Sequence, residues 1–121
     1  MYVNDKMVLQ LVALLKKFGI KKVVVSPGSR HNKLINSLET DGSFKLYLVV
    51  DERSAAFFAL GLIQECGEPV AVTCSSGTAC MNYGSAIVEA FYQRLPFFQA
   101  IAYLSCSTNA RIRCTIRQVL S

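Results

Sequence analysis

The sequence predicts an α/β domain of three layers, a mainly parallel sheet covered by helices on both faces. Three observations predict it. Short apolar runs alternate with amphipathic stretches of about a dozen residues, the pattern of strands joined by crossover helices. Each run ends in a turn of Ser, Gly, Pro or acidic residues. Of 121 residues 52% are hydrophobic, with only 3 Pro and 7 Gly, enough to build one apolar core and too ordered a composition for a disordered chain.

Along the chain, Met7, Val8, Leu11, Val12, Leu14, Leu15 and Phe18 recur at helical spacing, with Asn4 or Asp5 as cap and Gly19 as stop. Val23-Val24-Val25 is a β-branched run cut off by Ser26-Pro27-Gly28, a buried strand ending in a turn. Leu34, Ile35 and Leu38 mark a second helix. A strand from Phe44 to Val50 follows, then a helix from Arg53 to Cys66 that Gly67 terminates, and a strand from Val70 to Cys74. After Ser75-Ser76-Gly77-Thr78 one further helix runs through Phe91, and Phe97 to Leu104 supplies a fourth strand.

Composition excludes several classes. The longest stretch without a polar side chain, Ala55 to Ile63, is about half the ~18 residues a membrane span requires. The first residues lack the basic start and apolar run of a secretory signal, so a cytoplasmic location is expected. The net charge is +5, but the basic residues are scattered, with Lys16, Lys17, Lys21 and Lys22 around one helix end and Arg111, Arg113 and Arg117 in the last stretch. That distribution favours solvated charge over a nucleic-acid surface. The 5 cysteines (Cys66, Cys74, Cys80, Cys106, Cys114) show no Cys-x-x-Cys spacing, and His31 is the single histidine, so free thiols are expected rather than a metal cluster.

In an open parallel sheet, ligands bind beyond the carboxyl ends of the strands, which singles out three turns. Ser26-Pro27-Gly28-Ser29-Arg30 joins a rigid proline, a glycine, a hydroxyl and a guanidinium at a helix start. It suits a carboxylate or phosphate, or is a plain strand-to-helix turn with a surface arginine. His31 beside it reads as an exposed turn residue. In Asp51-Glu52-Arg53 the acids either cap the following helix, or one carboxyl is aimed into a dry pocket beside Phe57 and Phe58. Ser75-Ser76-Gly77-Thr78 either cradles an anion or supplies hydroxyl caps.

Taken together, Val25 to Arg30, Val50 to Gly61, and Cys74 to Ala79 with Asn82 resemble the N-terminal pyrimidine-binding domain of the thiamine-diphosphate-dependent enzymes, over about Met7 to Ala102. Within that family the three motifs are most similar to the menaquinone-biosynthesis branch. The resemblance implies that Glu52 hydrogen-bonds the aminopyrimidine ring of thiamine diphosphate and favours the imino tautomer that takes the C2 proton. It implies that Pro27, Gly28, Thr78 and Asn82 surround that ring and that Ser29 and Arg30 face substrate carboxylates. The branch decarboxylates 2-oxoglutarate and adds the succinyl unit to isochorismate. Its Mg²⁺ and pyrophosphate lie in another domain, so this chain alone is expected to be inactive. The cofactor sits between subunits in the family, which implies a homo-oligomer formed through the motif rim.

Residues 1–102 thus read as the pyrimidine-binding domain. Residues 103–121 depart from the pattern: Tyr103-Leu104-Ser105-Cys106 stands where the family has Ala-Asp-Arg-Pro, and the segment reads as an atypical, altered or truncated tail. A rival reading of the three turns is a non-catalytic anion- or nucleotide-binding module, with Gly28 and Gly77 in phosphate nests and Glu52 a simple cap.

Overall fold

The computed structural model describes residues 6–28, 32–75, 77–104 and 112–118. Its elements run α1 (Lys6–Lys17), β1 (Lys22–Val25), α2 (Asn32–Asp41), β2 (Lys45–Leu48), α3 (Glu52–Cys66), β3 (Val70–Cys74), α4 (Gly77–Cys80), a 3₁₀ turn (Met81–Tyr83), α5 (Gly84–Gln93), β4 (Phe97–Leu104) and β5 (Ile112–Gln118). The five strands form one sheet in the order β2-β1-β3-β4-β5. The first four are mutually parallel, and β5 pairs antiparallel with β4 at the far edge.

Alternation along the strands builds the three layers, because successive strand side chains point to opposite faces. Val23 and Val25 of β1, with Ala71 of β3 and Phe98 of β4, pack beneath Val8, Leu11, Val12 and Leu15 of α1 and Leu34 and Leu38 of α2. Val24, with Val70, Val72 and Cys74 of β3 and Phe97 of β4, packs on the other face against Ala55, Ala56, Ala59, Leu60 and Ile63 of α3 and Ala86 and Ala90 of α5. Central β1 and β3 are covered on both sides, and for that reason read as unbroken apolar runs. The small alanines let α3 and α5 lie close to the sheet.

The helix boundaries follow local chemistry. Asp51 is the N-cap of α3, its Oδ2 accepting from the Ser54 N–H at 2.8 Å. Gly67 ends α3 in the left-handed region at φ 69°, where its N–H reaches the Ile63 carbonyl at 2.7 Å. Two details depart from the sequence pattern. β2 is shorter than Phe44 to Val50, since the chain turns after Leu48 toward the Asp51 cap. The helix expected after Gly77 is broken into α4, the 3₁₀ turn and α5, and the tighter turn carries Tyr83 into the core.

Candidate functional site

The parallel register brings the carboxyl ends of β1, β2 and β3 to one rim, and Ser26 ties the three together. The Ser26 N–H donates to the Thr73 carbonyl of β3 at 3.0 Å, and its Oγ donates to the Val49 carbonyl just past β2 at 2.8 Å. The Val49 N–H in turn donates to the Val25 carbonyl at 3.0 Å. Ser26 is only 1% exposed, so these bonds hold the rim from within.

Two of the motif turns also touch. A Cβ added to Gly28 would stand 2.5 Å from the Ser75 Cβ and closer still to its Oγ, so the turn after β1 lies directly on the turn after β3. Glycine is required there by proximity, since any side chain would collide with a neighbour set by the sheet. Pro27, beside it, is exposed.

Glu52 opens α3 immediately after the Asp51 cap and is half-buried at the same rim. Its carboxylate accepts no hydrogen bond and forms no ion pair among the described residues. Asp51 behaves differently: the Ser54 N–H, then the Ser54 side chain, hold its carboxyl below the usual range, so the capping role belongs to Asp51 alone. Phe57 and Phe58 are not a lid on Glu52. They stand 42% and 43% exposed on the flank of α3, with the Phe58 ring 5.6 Å from that of Tyr47.

Tyr83 is a buried polar group that the sequence pattern did not single out. Its side chain is fully buried in the α3–α5 layer, and its hydroxyl makes no hydrogen bond within bonding distance among the described residues. A buried hydroxyl without a partner costs about 1–3 kcal/mol. Burial, the Cys74 and Cys80 thiols and the Glu52 carboxylate together push the phenol far above its ordinary range. Beside it, Cys80 accepts a hydrogen bond from the Gln99 amide, and burial raises its thiol. Neither Tyr83 nor Gln99 belongs to a recognisable motif; the available signal was a polar side chain within an apolar stretch, Tyr83 between Ala79 and Ala90 and Gln99 between Phe98 and Ala100.

Thr78 and Asn82 lie exposed on α4 and the 3₁₀ turn that follow β3, with the Asn82 amide donating to the Ala79 carbonyl at 3.2 Å. Ser29 and Arg30, expected to face substrate, and His31 lie outside the described residues. Glu52 is an uncommitted acceptor at the rim, and the Gly28–Ser75 contact makes a wall bare of side chains on the glycine side.

Comparison with known proteins defines the class. Residues 6–99 match the family described as thiamine pyrophosphate enzyme, N-terminal TPP binding domain. The chain belongs to that family. Its parallel α/β sheet is shared by benzoylformate decarboxylase from Polynucleobacter necessarius, with a TM-score of 0.65 and 26% identity over 78% of this chain and 18% of that one. A thiamin diphosphate-dependent enzyme from Mycobacterium smegmatis, described as putative, shares the fold at a TM-score of 0.68, with 23% identity over 81% of this chain and 19% of that one.

More particularly, the chain is 50% identical over 96 residues to the 2-succinyl-5-enolpyruvyl-6-hydroxy-3-cyclohexene-1-carboxylate synthase of Bacteroides thetaiotaomicron, covering 79% of this chain and 17% of that protein. It is 46% identical over 101 residues to the synthase of that name from Porphyromonas gingivalis, covering 84% and 18%. The chain therefore spans about a sixth of the length of these curated relatives, as the 17% coverage states. Among the described residues, no helix is long and apolar enough to cross a membrane.

Proposed function

We propose that this chain is the pyrimidine-binding part of a 2-succinyl-5-enolpyruvyl-6-hydroxy-3-cyclohexene-1-carboxylate synthase, which decarboxylates 2-oxoglutarate and adds the succinyl unit to isochorismate in menaquinone biosynthesis. The observation that carries it is the half-buried Glu52 carboxylate, left without a partner at the rim that Ser26 and the Gly28–Ser75 contact draw together.

In this reading Glu52 hydrogen-bonds a ring nitrogen of the aminopyrimidine and shares its proton there. Pro27 and Gly28 form one wall of the ring site, and Thr78 and Asn82 frame the other. Ser29 and Arg30 face the carboxylates of the two substrates, both polyanionic, and a guanidinium fork suits a planar carboxylate. When bound, thiamine diphosphate supplies the carbanion chemistry, and the protein orients and tunes it. Mg²⁺ and the diphosphate are held by another domain, in a cytoplasmic homo-oligomer assembled across the rim.

A chimera tests the proposal. Residues 6–99 of this chain replace the matching stretch of the Bacteroides thetaiotaomicron synthase, and the product from 2-oxoglutarate and isochorismate is measured. The reading predicts that the chimera retains activity. A folded, assembled chimera that makes no product contradicts it. In the active chimera, Arg30→Ala is expected to lower kcat/KM for the two acids; unchanged values for both leave Arg30 outside the site.

A further inference from the structure

Gln99 is a buried amide in an apolar layer. On β4 it stands two residues from Phe97 and directly opposite Val72 of β3, so its side chain points to the face on which Val72, Cys74 and Phe97 pack against α3 and α5. An amide buried there without a partner would cost about 1–3 kcal/mol, so the bond it makes matters. Its Nε2 donates to the Sγ of Cys80 on α4.

Cys80 stands where the helical path changes. It is the last residue of α4, and the 3₁₀ turn begins at Met81. Thr78 and Asn82 lie two residues to either side of it. On a helix, positions four apart share a face and positions two apart do not. Thr78 and Asn82 are both exposed, whereas Cys80 is partly buried against the α3–α5 layer, as that geometry requires. Holding Cys80 down on the sheet therefore turns Thr78 and Asn82 outward together.

We propose that Gln99 is a positioning residue for the ring site: its hydrogen bond to Cys80 pins the junction of α4 and the 3₁₀ turn to β4, and so sets where Thr78 and Asn82 stand at the rim. The inference rests on the reading in which Thr78 and Asn82 frame the pyrimidine. It adds a residue of the sheet that acts through Cys80 and touches no ligand.

The test has two arms. In the 121-residue chain, amide hydrogen exchange is compared at Gly84, whose N–H bonds the Met81 carbonyl, and at Gly67, whose N–H bonds the Ile63 carbonyl at the far end of α3. Gln99→Leu keeps the bulk and removes the amide, and is expected to quicken exchange at Gly84 at least about 5-fold more than at Gly67. In the active chimera the same substitution is expected to raise the KM for thiamine diphosphate about 5- to 50-fold, with a smaller effect on kcat. Cys80→Ala is expected to match it, and the double variant to be no worse than either alone. Cys80→Ser, whose oxygen accepts the same donor, is expected to keep the parental KM.

Equal quickening at Gly84 and Gly67 in Gln99→Leu overturns the inference, and does so even where Thr78→Ala and Asn82→Ala raise the KM and the reading of the ring site stands. Penalties of Gln99→Leu and Cys80→Ala that add in full also overturn it, because the two residues then act separately. A KM unmoved by Thr78→Ala and by Asn82→Ala overturns instead the placing of the ring, and the positioning role falls with it.

Discussion

Gly28 and Ser75 meet across the mouth of the sheet, so close that a Cβ on the glycine would lie 2.5 Å from the serine Cβ. The contact joins two turns that are 47 positions apart in sequence, from 28 to 75, and sets the glycine backbone against the serine side chain at the proposed ring site. It exists because β1 and β3 are adjacent and parallel, with Val25 opposite Thr73.

Gly28→Ala is accordingly expected to destabilise the chain by about 1–3 kcal/mol, the range for a methyl group forced into occupied space. The midpoint of urea unfolding reads this loss. Ser75→Gly in the same background removes both colliding atoms and is expected to recover part of it. A Gly28→Ala chain as stable as the parent contradicts the close approach.

Ser26→Ala removes the donor to the Val49 carbonyl, a 2.8 Å bond within the rim. The expected loss is about 0.5–1.5 kcal/mol, since the serine backbone N–H keeps its bond to Thr73. Amide hydrogen exchange is expected to quicken at Val49, whose N–H bonds Val25, more than at Val24 in the strand interior. Uniform exchange across both strands contradicts the placement of this tie.

Asp51 and Tyr83 predict opposite pH limbs. The Asp51 carboxyl is held below 3.8 by the Ser54 N–H, so its contribution to folding is present in full above the unfolded value and is lost as pH falls through the folded one. Asp51→Ala is expected to lower Tm at pH 7 and to have little effect once the parent carboxyl is protonated in strong acid. An equal Tm difference at both pH values contradicts the cap.

The Tyr83 phenol is raised above 10.0 by burial, so folding keeps its advantage below that pH and loses it progressively as pH climbs toward the folded value. Tyr83 is expected to ionise only as the chain unfolds, with its ultraviolet phenolate signal rising together with the loss of circular dichroism. Tyr83→Phe is expected to remove part of the alkaline instability. A phenolate signal from Tyr83 in the folded chain contradicts its burial.

Much of this was legible in the sequence, and the exceptions share a cause. The Val23 to Val25 run, the acidic start of α3 and the turn after Cys74 carry local signals: β-branching, a capping acid and hydroxyl-rich punctuation. The order of those signals along the chain was enough to place three turns on one rim. Ser26, Gly28 and Tyr83 are different, because what they do depends on neighbours 20 or more residues away or on a change of helical pitch. Ser26 reads as an ordinary turn serine until the register puts Val49 beside it. Tyr83 reads as a helix residue of no assigned side until the 3₁₀ turn carries it inward. Phe57 and Phe58 show the converse: the apolar run from Ala55 suggested a dry pocket beside Glu52, but helical geometry sends Ala55 and Ala56 inward and leaves both rings half-exposed.

In the proposed function, Glu52 is the acid that shares a proton with the bound pyrimidine. The most direct measurement is the rate at which the C2 proton of thiamine diphosphate exchanges with deuterium in the active chimera, by acid quench and proton NMR, with and without Glu52→Gln. General acid–base groups contribute about 10²–10⁴-fold, so the substitution is expected to slow exchange by at least about 100-fold while the cofactor stays bound. Exchange at the unsubstituted rate, with cofactor bound, contradicts the account.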